Sequence, residues 1–315
     1  MSPTLTIRPF RTPARGVAQV PGSKSITNRA LLLGALAAGE TVFTGALFSR
    51  DTRILITALL ALGFEVAADE SAQTIRIVGL GGRIPKTQAK IHVGNAGTAA
   101  RFLTAFLALA PQGVYELDGD EAMRARPMAG LLEALTGAGC RALRADGQPA
   151  THFPFTLHTS GRLGELVVDA SASSQLLSAL LMVLPLSPDA SVRMKGTTVS
   201  EPFVVMTEKM CTQFGRPLVR TSEGGWHCPQ PGAYQALGTY AIEPDATAAS
   251  YFIALPAVTG AGAGVRLQGY VKDGLQGDTA FAAVERFVGL RFVRTKSGVA
   301  LRFPPHSRQS SASTA

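Results

Sequence analysis

The sequence predicts an α/β fold assembled from one repeated helix–strand–helix–strand unit, and three observations carry that expectation. Openings of apolar helices recur at near-constant spacing: aligning Arg29, Arg101, Gln175 and Tyr251 gives steps of 72, 74 and 76 residues. Each opening passes from small or hydroxyl residues into an apolar run, then a strand-like stretch, a second helix and further strands. The length, 315 residues of which 46% are hydrophobic, allows a substantial core and two domains. Such a unit is too long for a solenoid repeat and mixes both element types.

Taken in order, residues 4–10 alternate as a short strand. Pro21-Gly22 then break the chain and Ser23-Lys24-Ser25-Ile26-Thr27-Asn28-Arg29 leads into an apolar helix that Gly39 closes. Residues 41–47 read as a strand, and Ser49-Arg50-Asp51-Thr52 cap a helix over 53–62 that stops at Gly63. Short strands follow at 65–68 and 74–78, with glycine-rich turns between them. The second copy opens at Gly94-Asn95-Ala96-Gly97-Thr98-Ala99-Ala100-Arg101. It continues with a helix over 102–109, a strand over 114–117, a charged loop and a helix over 128–135. The third opens at Asp169-Ala170-Ser171-Ala172-Ser173-Ser174-Gln175, with helices over 176–184 and 203–214 around a strand at 191–194. The fourth opens at Asp245-Ala246-Thr247-Ala248-Ala249-Ser250-Tyr251, with helices over 252–258 and 279–287. The first helix has no clear polar face, which predicts burial with sheets around it.

Helix starts present unpaired N–H groups and the positive end of the macrodipole. Lys24 and Arg29 stand at such a start, where two cations repel each other and the dipole. An awaited anion explains the arrangement, and phosphate is the usual one. The plainer alternative is a capped helix with two solvated basic residues. The small residues Ser25/Thr27, Gly97/Thr98, Ser173/Ser174 and Thr247 likewise read either as anion-binding helix starts or as caps that permit close packing.

The formal charge of +8 admits nucleic acid, a membrane surface or small anions as partners. The basic residues form no run of five and do not interleave with aromatics, so small anionic substrates are expected, with no nucleic acid and no membrane partner. No apolar run reaches the roughly 18 residues a membrane span needs. The first 39 residues lack acidic side chains, as transit peptides do, but the Lys24 motif lies inside that stretch, which therefore reads as mature protein. Cys140, Cys211 and Cys228 are too few and too scattered for a disulfide framework or a zinc site, which implies a reducing cytoplasm and no metal. Gly22-Ser23-Lys24-Ser25 is not a P-loop, and no nucleophile elbow or metalloprotease helix is present.

The remaining motifs resemble those of the enolpyruvyl transferases, specifically the shikimate-phosphate branch. They are Pro21-Gly22-Ser23-Lys24-Ser25 with Asn28-Arg29, Gly94-Asn95-Ala96-Gly97-Thr98, Met123-Arg124-Ala125-Arg126-Pro127, and Ser173-Ser174-Gln175. Gly238-Thr239-Tyr240, Asp245 and Gln276-Gly277-Asp278 extend the likeness over roughly residues 15–303. The resemblance implies two similar domains, each an inside-out α/β barrel of three units. Residues 23–240 would form a complete three-unit domain, with 1–22 and 241–303 in an incomplete second one. It also implies transfer of the enolpyruvyl group of phosphoenolpyruvate to the 5-hydroxyl of shikimate 3-phosphate, with release of phosphate and no cofactor, by a cytoplasmic enzyme that is a monomer when complete.

By the same resemblance Lys24 lies between the substrates and takes part in proton transfer, with cationic neighbours that lower its pKa. Arg126 and Gly97 would hold phosphoenolpyruvate, the first through its planar fork and the second through a backbone N–H at close approach. Ser25 and Arg29 would hold the shikimate ring, Ser173, Ser174 and Ser200 its 3-phosphate, and Gln175 would bridge both substrates. Arg101 would tie its helix to a neighbouring loop. Phe203 stands where family members often carry a tyrosine, keeping the stacking surface without the hydroxyl.

By the same resemblance the chain is expected to leave the family pattern near Phe303, without the two further units and their acidic and cationic site residues. The low-complexity stretch 304–315 is expected to be a disordered or aberrant tail of a truncated or frame-shifted product. Apolar residues 252–258 would then face water. Alternatives are a non-catalytic remnant that still binds shikimate 3-phosphate and the related UDP-N-acetylglucosamine enolpyruvyl transferases, against which Ser23-Lys24-Ser25 and Ser173-Ser174-Gln175 argue.

Overall fold

A computed structural model describes residues 9–284 and 291–302. The chain divides into two units: Gly22–Ile242 forms one, and described residues on either side of it form the other. The first described strand, β1 (Arg15–Gln19), belongs to the smaller unit.

The larger unit opens with α1 (Lys24–Leu36), β2 (Ala37–Thr44), α2 (Arg50–Ala61), β3 (Glu65–Asp69) and β4 (Thr74–Leu80). The second copy is β5 (Gln88–His92), α3 (Gly97–Leu107), β6 (Val114–Asp118), the short α4 (Glu121–Arg124), α5 (Ala129–Gly137), β7 (Arg141–Leu143) and β8 (Phe155–His158). The third is β9 (Glu165–Asp169), α6 (Ser174–Val183), β10 (Ser191–Lys195), α7 (Glu201–Gln213), β11 (Val219–Arg220) and β12 (Gly225–His227). Strands β13 (Tyr234–Gln235) and β14 (Gly238–Ala241) then return to pair in parallel with β2.

The three sheets of this unit share one order. They run β5-β6-β8-β7, β9-β10-β12-β11 and, with β13 and β14 in the leading place, β2-β4-β3. The leading strand of each is parallel to the strand that follows the first helix. The repeat is therefore strand–helix–strand–helix–strand–strand, one strand longer than the sequence pattern suggested. In the first copy that strand comes from the far end of the unit, so no local pattern could announce it.

Helices α1, α3 and α6 pack on one another at the centre. From Ile26 to Leu36 every residue of α1 is buried. Leu31, Leu32, Leu33 and Leu36 are fully enclosed, each contributing about 1.5–3 kcal/mol of burial. The sheets present one face to these helices, as Ile75 and Ile77 on β4 and Leu166 and Val168 on β9 show by alternating with less buried neighbours. Helices inside and sheets outside is the inside-out α/β arrangement. Gly34 lets β2 and β4 come this close, because a Cβ there would lie 2.7 Å from Ile77 Cγ2 and 2.8 Å from Phe43 Cζ.

Two helix boundaries differ from the sequence pattern. Gly39 does not close α1; it lies inside β2 at φ 122°, and the helix ends at Leu36. Ala37 and Ala38 pair with Tyr234 and Gln235, so sheet formation overrides the helical preference of alanine. Helix α2 starts at Arg50, earlier than the apolar pattern, with Ser49 and Thr52 forming a reciprocal capping box.

The smaller unit contains β1, α8 (Ala246–Thr259), β15 (Gly264–Gln268), a 3₁₀ helix over Gly277–Val284, β16 (Arg291–Thr295) and β17 (Gly298–Arg302). Its sheet runs β1-β15-β17-β16, the same order again. Asp245 caps α8, accepting from Ala248 N–H at 2.8 Å. Ala246, Ala249 and Ile253 enter the core with Leu267 and Leu301, while Tyr251 and Val258 face water at 75% and 77% exposure. Within 252–258, then, the apolar residues divide between core and solvent. The helix expected over 279–287 is a 3₁₀ helix as far as it is described, because hydrogen bonding there steps three residues. The expected strand at 4–10 lies outside the described residues except for Pro9 and Phe10, which form no strand, and the tail at 304–315 lies outside them entirely. No helix among the described residues is long and apolar enough to cross a membrane.

Candidate substrate site

The start of α1 carries the first two cations. Lys24 is its opening residue, half exposed, and its Nζ lies 3.3 Å from Asp51 Oδ2 in the first turn of α2. Lys24 thus meets a carboxylate, which the α2 dipole favours at that place. Arg29, one turn further on, is buried at 2% exposure. Its Nε donates to Thr207 Oγ1 at 2.8 Å, Nη1 to the Ser25 carbonyl at 3.1 Å, and Nη2 to Ser178 Oγ and the Phe203 carbonyl, each at 3.2 Å. The guanidinium lies 5.3 Å from the Phe102 ring centroid and 5.9 Å from that of Phe203. All these partners are neutral, and burial pulls the Arg29 pKa down to about 10.

The start of α3 carries two more. The Arg126 guanidinium fills the space a side chain on Gly97 would need, since a Cβ there would lie 2.5 Å from Nη2 and 2.6 Å from Cζ. Arg126 Nη1 also reaches the Asn95 carbonyl at 3.4 Å. Arg101, 1% exposed, donates to the Gly97 carbonyl at 3.1 Å, and its Nη2 donates to the Pro127 carbonyl at 2.7 Å. That last bond ties α3 to the loop bearing Arg126. Burial first, and the charge of Arg126 second, lower the Arg101 pKa to about 10.

Gln175 joins α6 to α3. Its Nε2 donates to Thr98 Oγ1 at 3.2 Å, and its Oε1 accepts from Arg101 Nη1 at 3.5 Å. Ser173 is the N-cap of α6 and accepts from the Gln175 N–H at 3.3 Å, while Ser174 is buried behind it. Ser200 is the N-cap of α7 and adopts φ 59°, ψ 49°, the left-handed region that costs a β-carbon residue about 1–2 kcal/mol. Its side chain caps nothing and is exposed. Among the described residues no side-chain hydrogen bond joins Lys24 or Ser200 to another expected site residue.

The structure therefore links Arg29, Ser25 and Phe203 in one cluster and Gly97, Arg126 and Gln175 in another. The sequence reading missed Thr98 as a partner of Gln175, Ser178 and Thr207 as acceptors for Arg29, and Asp51. A usable signal was present for the hydroxyls: Ser178 and Thr207 interrupt apolar runs one helical turn after Gln175 and Phe203. Chemically, the clusters offer several cations and hydroxyls with one nearby carboxylate, an arrangement suited to binding phosphate or carboxylate groups.

Buried helices, outward sheets and cations at the helix starts define the enolpyruvyl transferase class of inside-out α/β proteins. The chain belongs to the EPSP synthase (3-phosphoshikimate 1-carboxyvinyltransferase) family, whose profile matches residues 11–309. It is 48% identical over 287 residues to the 3-phosphoshikimate 1-carboxyvinyltransferase of Opitutus terrae, covering 89% of this chain and 65% of that protein. The protein of the same name from Trichormus variabilis is 39% identical over 288 residues, covering 91% of this chain and 66% of that one. A solved EPSP synthase from Acinetobacter baumannii shares the fold with a TM-score of 0.76 at 21% identity, covering 94% of this chain and 66% of that one. The chain thus spans about two thirds of the length of these relatives. The family match also decides between the two branches weighed from sequence, in favour of the shikimate-phosphate one.

Proposed function

We propose that the unit Gly22–Ile242 binds shikimate 3-phosphate and phosphoenolpyruvate, and that the protein transfers the enolpyruvyl group of the latter to the 5-hydroxyl of the former. Phosphate leaves, and the product feeds chorismate and aromatic amino-acid synthesis. Ser173, Ser174 and Ser200 hold the 3-phosphate, Ser25 and Arg29 the ring and its substituents. Arg126 with the Gly97 N–H holds phosphoenolpyruvate, Gln175 bridges the substrates, and Lys24 contacts both and takes part in proton transfer.

The observation that carries this reading is the pair Arg101 and Arg126 at the start of α3. Two guanidiniums sit at the positive end of one helix, and their hydrogen-bond partners are all neutral. Such a charge is balanced when an anion arrives, and a phosphate fits the donor fork. The left-handed Ser200 supports the phosphate role at α7, because backbone strain of that kind collects at ligand sites. The protein acts without a cofactor, in the cytoplasm, as a monomer when complete and with no nucleic-acid or membrane partner.

Phosphate release tests the reaction. Release that requires both phosphoenolpyruvate and shikimate 3-phosphate supports transfer. Binding of shikimate 3-phosphate without release makes the chain a non-catalytic binder, and failure to bind either substrate overturns the reading.

A further inference from the structure

Asp51 is the one carboxylate in salt-bridge reach of a proposed substrate-contacting cation among the described residues, and it stands on a different helix from that cation. Its place is fixed from its own side. It lies in the first turn of α2, held by the Ser49–Thr52 capping box, where the helix dipole favours a negative charge. The preceding residue, Arg50, anchors the same turn to the loop after β6, with Nη2 donating to Asp120 Oδ2 at 2.6 Å. The backbone N–H of Asp120 in turn donates to the Gly94 carbonyl at 2.9 Å, just before α3. The start of α2 is thus braced on two sides, and the long Lys24 side chain, 50% exposed against 22% for Asp51, is the movable partner.

We infer that Asp51 is a positioning residue for Lys24, fixing the direction of its ammonium group at a cost in anion affinity. This rests on the substrate reading proposed above. An ammonium has three donors; Asp51 takes one and leaves two for a phosphate or carboxylate. The carboxylate also offsets part of the positive field that an incoming dianion would feel. The geometry separates this role from a merely structural one: removing the charge without changing the shape must strengthen anion binding while disturbing the orientation of Lys24.

The test is a calorimetric titration of the full chain with shikimate 3-phosphate at low salt, comparing wild type, Asp51→Asn, Asp51→Glu and Thr52→Ala. Asp51→Asn is expected to bind about three- to tenfold more tightly than wild type, and the gain should shrink at about 1 M salt, where exposed charges are screened beyond roughly 3 Å. Asp51→Glu, which keeps the charge, should stay within about twofold of wild type on the same electrostatic ground. Thr52→Ala loosens the α2 cap without altering charge and should give no tightening. Asp51→Asn binding as wild type or more weakly, with its far-ultraviolet circular dichroism retained, overturns the inference and leaves the substrate reading standing. Tightening in Thr52→Ala as well would assign the effect to the helix cap and overturn it too. A wild-type chain that binds no shikimate 3-phosphate overturns the substrate reading, and the inference falls with it.

Discussion

The guanidinium of Arg126 occupies the volume that a side chain at Gly97 would need, with Nη2 2.5 Å from the position of the missing Cβ. Glycine is thus fixed at the start of α3 by a neighbouring side chain rather than by its own backbone, which is helical there. Gly97→Ala should leave the fold intact, since alanine favours helix and the atom it meets is the tip of a flexible chain. Tm should move by no more than a few degrees. Phosphoenolpyruvate affinity should fall about ten- to hundredfold, the worth of one charge-assisted hydrogen bond at ~1.5–3 kcal/mol. Thermal unfolding and titration of the same variant measure both halves.

Arg29 separates stability from binding in another way. Its buried charge is held by neutral acceptors, so an apolar replacement of similar length removes a desolvated ion at little structural loss. Arg29→Met should keep or raise Tm while weakening shikimate 3-phosphate binding by about a hundredfold, the scale of a charge-assisted hydrogen bond. A large fall in Tm would show that the arginine is held for the fold.

At Ser200 the backbone carries the strain. Ser200→Gly should stabilise the protein by about 1 kcal/mol, because glycine adopts the left-handed region without the β-carbon clash. The same change deletes the hydroxyl proposed for the 3-phosphate and should weaken its binding about three- to tenfold. A denaturant midpoint that falls would contradict the first half.

Gly34 is a prediction about the fold alone. A methyl group there meets Phe43 and Ile77 on strands locked into the sheet, so Gly34→Ala should destabilise by about 1–3 kcal/mol despite its helix preference. The Tm of the larger unit should drop by roughly 2–4 °C per kcal/mol. An unchanged Tm would mean that β2 and β4 shift freely on α1.

How much of this was legible in the sequence follows from which features are local. The apolar first helices and their openings at Lys24, Gly97 and Ser173 were readable, because caps and runs lie within one turn of each other. The leading strands were not: β5 and β9 are short and half exposed, and β14 pairs with β2 across nearly 200 residues. Gly39 misled because glycine usually follows a helix, whereas here it lies inside a strand that begins at once. The cations were legible as types, yet their partners were not. Asp51 meets Lys24 only after α1 and α2 have packed, and Arg126 reaches Gly97 only after the loop beyond α4 has folded back.

The central claim is that the unit Gly22–Ile242 is built to hold a phosphorylated ring. The measurement that bears on it most directly is a pair of titrations of the full chain, one with shikimate 3-phosphate and one with shikimate. Binding of the phosphorylated ligand at least about a hundredfold more tightly, weakening as salt is added, is the result the account predicts. Equal affinity for the two ligands, or binding of neither, would contradict it.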